Sequence, residues 1–570
     1  MPSALTTPRR ALLPPLPVRA SLRLARPSDS WHKRAFSVVA AAGVPLAVLL
    51  AAGRLDLAVY TMAGSLCALY GHDLPYAARA RTVAWVVAGM TAGSAAALAT
   101  ASATGSVPVL IAVGALLAAA QKTVCDAVRI GPPGAVILTF ISSACLFSPQ
   151  PPGRLPELAG LTAGAGALAW LVTLAPALVR RDGPERRATA RALLGAADLV
   201  AARTRGGADT ARASRRAAGT DSAAWHTLLT ARPGDGGRHA PLLRLLLHGE
   251  AVAADPSAGP ADAERLRHWA RLLRRRGPVP VPPDPDGTAE RLLRVEAELA
   301  GAAGAAGEGR GAGALRAALA PGSLLLPVAL RTALGCAMAG GAAAALGVGR
   351  PYWAIVTAAA LYQANVTLTW SRALQRTLGN LLGVLVFAAT VPLEHQGPVA
   401  LACCCLAFAF VTEAVITRNY WAGSLFVTPM ALLICEFGTR QEAGGLVADR
   451  VLDTLAGAAF GLLAAAVVTN RRAGARVGRL AGRADAAGAA VERLMAAPDT
   501  APAALEAARR DLAAALAALR AAADTAGGEW GHRPAAAADV ARAEAAGHRT
   551  LTAAVRHRVR QGRNGEHAAR

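Results

Sequence analysis

Ionisable and aromatic side chains within or beside long apolar segments are the residues of this chain whose types could do chemistry. An arginine offers a planar set of donors to a carboxylate, and a tyrosine or tryptophan ring can hold an aromatic group. A charge inside an apolar segment is costly unless it is paired or hydrated, so such residues tend to line a cavity. The candidate ligand-binding residues are Arg331, Tyr352, Trp353, Arg372, Arg376 and Asp453.

Each candidate also has a plainer interpretation. Tryptophans such as Trp353 are often interface residues that sit at the boundary between lipid and water. Charged residues near the end of an apolar segment, such as Glu413 and Arg450, can extend to that boundary. Arg331 and Asp453 lie within apolar segments. The sequence does not favour a role on a ligand pathway over a purely structural role for these two residues.

Covalent and metal chemistry is not indicated. The chain has two lysines, Lys33 and Lys122, and neither belongs to a P-loop, so ATP hydrolysis of that kind is excluded. The sequence has no His-Glu-x-x-His motif, and its eight cysteines lie in or beside apolar segments without metal-ligand spacing to a histidine. We therefore predict a protein that is not an enzyme and has no cofactor and no metal site.

Twelve apolar segments, in two blocks of six, must position these residues. The blocks run from about 36 to 179 and from about 323 to 469, and most segments reach the 17 to 25 residues that a membrane-spanning helix needs. Hydrophobic residues make up 54% of the chain and the mean hydropathy is +0.35. A helix satisfies its own backbone groups in lipid, so we predict an all-α polytopic membrane protein.

Composition divides the chain into five parts. Pro-rich and Gly-rich linkers interrupt the polar middle, whose apolar residues otherwise recur at helical spacing. The predicted parts are a basic N-terminal tail (1–35), a first six-helix membrane domain (36–179), a helical cytoplasmic domain (180–321), a second six-helix membrane domain (322–469) and a helical C-terminal domain (470–570).

The positive charge is distributed unevenly. The net charge of +23 could suggest a nucleic-acid partner, but the basic residues cluster in the loops of one side and in the polar domains. Arg180, Arg181, Arg186 and Arg187 begin the middle domain, whereas the opposite loops hold few arginines. We predict a plasma-membrane protein with both termini and the middle domain in the cytoplasm, and with no nucleic-acid partner.

The two blocks resemble each other. Residues 53–63 align with 349–359 with matched Gly-Arg, Ala and Thr positions, and Arg81-Thr82 aligns with Arg376-Thr377. Six spans per copy is an even number, so both copies would have the same orientation, which makes a parallel repeat. The alternative is a chance alignment of Ala/Gly-rich sequence.

The second block resembles the membrane domain of the fusaric acid resistance (FUSC) family. The resemblance rests on Tyr352-Trp353-Ala354-x-x-Thr357, on the Thr367 to Gly383 segment and on Arg450-x-x-Asp453-Thr454-x-x-Gly457. Proteins of that family have a layout similar to the one predicted for this chain. The family includes proteins regarded as exporters of aromatic carboxylic acids, and its distant plant relatives include anion channels. The first block lacks the Arg-x-x-Asp-Thr signature and has Leu161-Thr162-Ala163-Gly164 instead.

The resemblance and the residues together predict a secondary transporter that exports organic anions, such as aromatic carboxylic acids or related toxic compounds. One alternative is an anion-permeable channel of the same fold. Another is a membrane-anchored scaffold that does not transport. The expected partners are the lipid bilayer and a small organic anion, and assembly into a homo-oligomer stays open.

Overall fold

The computed structural model describes most of the chain. The described residues are 18–25, 31–206, 209–229, 236–275, 277–282, 325–394, 396–437, 443–468, 473–498, 500–529 and 537–569, with single positions at 313, 316, 318, 320 and 323. These residues are α-helical apart from turns and short 3₁₀ segments, which confirms the all-α prediction for the described part of the chain.

The first block contains six apolar helical segments in series. A short helix, α1 (Val18–Leu22), precedes them, and 3₁₀ turns flank the second segment and precede the sixth. The helices of this block are α2 (Trp31–Ala51), α3 (Ala58–Ser65), α4 (Tyr76–Ala103), α5 (Val107–Ala127), α6 (Val136–Leu146), α7 (Leu155–Leu174) and α8 (Pro176–Val179).

The polar middle forms a helical module. Its described helices are α9 (Gly183–Arg205), α10 (Asp209–Leu229), α11 (Gly236–Ala254) and α12 (Pro260–Arg274). Leucines and alanines at helical spacing, including Leu193, Leu246 and Leu266, bury one face of each helix in a separate hydrophobic core.

The second block also contains six apolar helices in series. Its helices are α13 (Leu325–Ala345), α14 (Tyr352–Leu361), α15 (Val366–Glu394), α16 (Pro398–Ile416), α17 (Tyr420–Glu436) and α18 (Ala443–Val467). The C-terminal module follows with α19 (Ala473–Ala496), α20 (Pro502–Gly527) and α21 (Ala537–Ala569), which share a core of their own.

Eight helices in the described residues are long and apolar enough to cross a membrane, and four further apolar segments are shorter. The second and fifth segments of both blocks are the short ones. The sequence predicted a span over 351–368, but α14 ends at Leu361. Asn365 caps α15 instead, since its side-chain oxygen accepts a hydrogen bond of 2.8 Å from the Leu368 amide.

Small residues allow the helices of each block to approach closely. A side chain at Gly379 or Gly383 of α15 would lie within 2.8 Å of atoms of α17, so their small-x-x-x-small spacing sets this contact. Between the blocks, α5 packs against α13 and α2 packs against α16. Arg376 is buried and its expected counterpart Arg81 is exposed, so these two arginines do not share an environment.

The two polar modules pack against each other through buried ion pairs. Glu250 of α11 lies 2.9 Å from the Arg558 guanidinium of α21 and 3.4 Å from the Arg509 guanidinium of α20. The C-terminal module also contacts the second block at residues 524–529, the end of α20 and the two residues that follow it, which we call the C-terminal turn. There the backbone oxygen of Gly528 accepts two hydrogen bonds of 3.0 Å from the amide and hydroxyl of Thr367.

Candidate functional site

A cavity of about 770 Å³ lies between the two blocks of apolar helices. Side chains of α2, α5 and α6 form one wall, and side chains of α14 to α18 form the other. Its size falls within the range of small-molecule sites, and most of its wall is apolar. A chamber at the junction of two helix bundles is where a ligand could contact both blocks at once.

Cations outnumber carboxylates in the wall. The two carboxylates belong to Asp126 and Glu413. Asp126 is paired with Lys122, and Arg34 forms an ion pair of 2.8 Å with Asp73 outside the cavity. The six cationic residues are Arg34, Lys122, Arg372, Arg376, Arg418 and Arg450. The electrostatics of the chamber therefore favour an anion.

Five of the six cations lie at one end of the bundle, which we call the arginine end. This is the end at which α2, α15 and α17 begin and at which α5 and α16 finish. The sixth cation, Arg450, lies in α18, which begins at the opposite end. The positive charge is thus concentrated where an anion would enter from that side.

Arg372, Arg376 and Tyr420 form the most ordered part of the arginine end. Arg372 and Arg376 are four residues apart on α15 and so share one face of the helix. The Arg376 Nη1 donates a hydrogen bond of 2.7 Å to the Tyr420 hydroxyl, and the Arg372 guanidinium lies 3.9 Å from the centre of the Tyr420 ring. The Nε of Arg376 is buried without a hydrogen-bond partner in the described structure, so it retains a donor for a ligand.

A cluster of aromatic rings lies toward the opposite end. The Trp353 ring stacks on Phe140 of the first block at 5.3 Å and on Tyr352 at 5.0 Å between ring centres. The Arg450 guanidinium lies 4.0 Å from the centre of the Trp353 ring, a cation–π distance. Phe147 continues the cluster behind Tyr352 at 5.9 Å. This layer joins both blocks.

The N-terminal segment 18–25 lies against the arginine end. Asn419 donates from its side-chain amide to the backbone oxygen of Ser21 at 2.8 Å, and Gln375 donates to the same oxygen at 2.7 Å. The Trp421 indole donates to the backbone oxygen of Leu22 at 3.1 Å. Ser21 lines the cavity, so this segment forms part of its wall.

The structure separates the six residues that the sequence singled out. Trp353, Arg372 and Arg376 line the cavity, and Tyr352 stacks behind Trp353. Asp453 is fully buried one turn from Arg450, but outside the cavity wall, and neither carboxylate oxygen has a hydrogen-bond partner in the part of the chain described.

Arg331 is placed away from the cavity. Its guanidinium donates to both carboxylate oxygens of Glu529 at 2.9 and 3.1 Å, and its Nε donates to the backbone oxygen of Val468. The arginine is 1% exposed and the Glu529 side chain is 0% exposed. Arg331 thus connects α13 to the C-terminal turn rather than to the chamber.

The first block contributes to the cavity in a way that the sequence does not predict. Arg34, near the start of α2, falls in the predicted basic N-terminal tail, and Lys122, near the end of α5, is not among the candidate residues, yet both line the cavity. Nothing in their local sequence distinguishes them from other charges at helix ends. The docking of residues 18–25 was also missed, although Asn419 and Trp421 at the start of α17 are polar donors beside an apolar segment.

These features define a multi-pass integral membrane protein with a cationic chamber between two helix bundles. Residues 336–464 match the family described as fusaric acid resistance protein-like, which confirms the resemblance for the second block.

Among curated proteins, the chain is 34% identical over 131 residues to the uncharacterized membrane protein YvaC of Bacillus subtilis (strain 168). This match covers 23% of the chain and 21% of YvaC, so the chain spans about a fifth of that relative's length. No solved structure matches the chain. The family and the relative are consistent with a membrane transporter.

Proposed function

We propose that this protein is a plasma-membrane secondary transporter that exports organic anions, with aromatic carboxylates as the best-fitting class. The observation that carries the proposal is the composition of the chamber, whose six cations, two carboxylates and aromatic rings surround a volume of about 770 Å³. A carboxylate matches the guanidinium groups, and a ring matches the aromatic layer.

The two ends of the chamber would act on different parts of the substrate. Arg376 and Arg372 hold the carboxylate near the arginine end, where Tyr420 positions both guanidinium groups. The apolar body of the substrate then extends toward Trp353 and Phe140. Because those two rings belong to different blocks, a movement of one block against the other would open the layer.

We further propose that the blocks are a parallel repeat and that their relative movement provides alternating access. Support comes from the shared order of long and short helices in both blocks. It also comes from reciprocal packing, since α5 of the first block contacts α13 and α16 of the second contacts α2. Relative motion of two similar halves about a central site is a common basis for secondary transport.

The proposed orientation places the arginine end and both polar modules in the cytoplasm. It is supported by the excess of arginine at that end, which matches the bias of cytoplasmic loops. A reporter that is active only outside the membrane, fused near Gly234, should stay silent. Strong activity of that fusion would reverse the orientation and with it the direction of export.

Transport is tested with purified protein in proteoliposomes loaded with a panel of aromatic and aliphatic carboxylates. We expect saturable efflux that depends on an imposed proton gradient and prefers aromatic acids. Arg372→Gln should raise the substrate concentration for half-maximal rate, because one carboxylate contact is lost. Arg81→Gln is the matched control, since Arg81 is exposed at the same end of the bundle and outside the cavity wall.

Two other outcomes would replace the proposal. An anion current that follows voltage and ignores the proton gradient would identify a channel. If no acid is transported, and if the protein's effect in cells is the same with and without the Arg372 side chain, the membrane-anchored scaffold is favoured. In either case the aromatic layer and the arginine end would need another explanation.

A further inference from the structure

A second cavity, of about 490 Å³, lies where the first block meets the middle module. It is formed by the start of α2, the turn between α8 and α9, the first turns of α9 and the end of α12. Seven lysine or arginine side chains line it, with Asp182 as the single carboxylate among the described lining residues. We call this cavity the basic cleft.

Four of the seven cations in the basic cleft lack a close carboxylate partner among the described residues. Arg186 and Arg191 reach carboxylates only at 3.9 and 3.7 Å. Lys33 and Arg180 have no carboxylate within ion-pair distance in the described structure. Burial lowers the pKa of the Arg187 guanidinium, and the neighbouring cations Arg191 and Arg180 lower it further, while Tyr76 and Asp73 offset part of this shift. An anion in the cleft would relieve this repulsion.

Apolar side chains adjoin the cleft on its membrane side. Leu178 and Val179, which end α8 just before Arg180, are 85% and 73% exposed. Phe36, one turn beyond Lys33 on α2, is 63% exposed. A soluble anion would use only the cleft and leave these side chains uncovered. A ligand with a charged head and apolar chains would use both surfaces.

We propose that the basic cleft binds the phosphate headgroup of an anionic phospholipid whose acyl chains lie along Leu178, Val179 and Phe36. Phosphate oxygens match the geometry of guanidinium donors. The Arg187 Nε donates a hydrogen bond of 3.1 Å to the backbone oxygen of Gly183, which orients this guanidinium in the cleft. The site is distinct from the chamber, because the two cavities share no lining residue.

The test is native mass spectrometry of the full-length protein in detergent with added lipid. The probes are cardiolipin, phosphatidylglycerol and phosphatidylcholine, with inorganic phosphate and pyrophosphate as soluble anions. We expect retention of the two anionic lipids over phosphatidylcholine. The Arg180→Gln, Arg187→Gln double variant should bind them about tenfold more weakly or worse, since each charged hydrogen bond contributes on that order.

Two further variants separate the cleft from general surface charge and from misfolding. Arg81→Gln, which removes an exposed arginine from the same end of the bundle, should leave lipid retention unchanged. Arg187→Lys keeps the charge and should retain most of the binding even if the double variant loses stability. A monodisperse elution profile is required of each variant before its lipid retention is compared.

Three results would overturn the proposal. Equal retention of phosphatidylcholine and the anionic lipids would show that the cleft does not select a charged headgroup. An equal loss in Arg81→Gln and the double variant would indicate general attraction to a basic surface. Displacement of the lipids by pyrophosphate at similar concentration would show that the ligand is a soluble phosphate, and not a lipid. None of these results depends on transport activity.

Discussion

The buried pair of Arg331 and Glu529 allows the sharpest prediction. Glu529→Gln removes the negative charge and keeps the shape, so the Arg331 guanidinium stays buried at 1% exposure without a counter-charge. We expect the variant to be clearly less stable while the cavity is unchanged, because neither residue lines it. The turn that carries Glu529 should release more readily from the second block.

The magnitude follows from the geometry of the pair. Both carboxylate oxygens accept from one guanidinium nitrogen, at 2.9 and 3.1 Å, and both side chains are almost completely buried. Removal of one partner from such a pair typically costs about 3 to 5 kcal/mol, since an uncompensated charge remains. Arg331→Met removes the charge instead. The double variant should therefore be more stable than Glu529→Gln alone, which is a reversal that simple loss of packing would not produce.

The assay is thermal unfolding of the purified chain in detergent, followed by tryptophan fluorescence, for the two single variants and the double variant. Glu264→Gln is the control, because Glu264 forms an exposed ion pair with Arg271 at 3.0 Å. Exposed pairs contribute about 0 to 1 kcal/mol, so the control should melt close to the unmodified chain.

Two observations would refute this reasoning. One is a Glu529→Gln variant that melts like the Glu264→Gln control. The other is an Arg331→Met variant that keeps its melting temperature and loses anion transport. The second result would return Arg331 to the ligand pathway that its position within an apolar segment first suggested. Transport by the folded Arg331→Met variant at the normal rate would exclude it from that pathway.

Four other predictions concern the cavity and the polar modules. Arg376→Ala should abolish export at near-normal protein levels in the proteoliposome assay, whereas Tyr420→Phe should weaken substrate binding and leave the fold intact. Gly528→Val should loosen the C-terminal module, measured as faster proteolysis, because a Cβ there would lie 2.3 Å from the Asn365 side chain. Burial alone would raise the pKa of Glu250, but two facing arginines hold it at about 2, below its usual 4.5. The contribution of Glu250 to the contact between the polar modules should therefore be fully present above about pH 4.5 and be lost as the pH falls through about 2, as measured by energy transfer between labels on the modules.

The positions of the apolar helices were predictable because apolar runs and polar breaks are local signals. The ends of the short helices were less predictable. The apolar run after Tyr352 continues past Leu361, and only the capping contact of Asn365 with the Leu368 amide shows where the next helix begins. Helix propensity alone cannot tell an asparagine that caps a helix, as Asn365 does, from an asparagine inside a membrane-spanning helix.

The candidate site was predictable only in part. Residues that lie close together along the chain were predicted, whereas contacts between distant segments were not. Arg372 and Arg376 were identified because they lie together on one helix of a recognisable motif. Arg331 looked equivalent, but its partner Glu529 lies 198 residues away and has no motif of its own. Arg34 reaches the chamber only because α2 packs against the second block, a contact that no local pattern encodes.

The first turns of α15 are held by the N-terminal segment 18–25 and by the C-terminal turn, and this constrains how the chamber could move. Gln375 binds the N-terminal segment at Ser21, and Thr367 binds the C-terminal turn at Gly528. Arg372 and Arg376 lie between these contacts on the same helix. A rearrangement that moves the two arginines away from the arginine end must therefore break the contacts with both polar segments or carry those segments along. The arginines that would bind the substrate and the contacts that hold the polar segments thus lie on the same part of α15, and we expect them to move together.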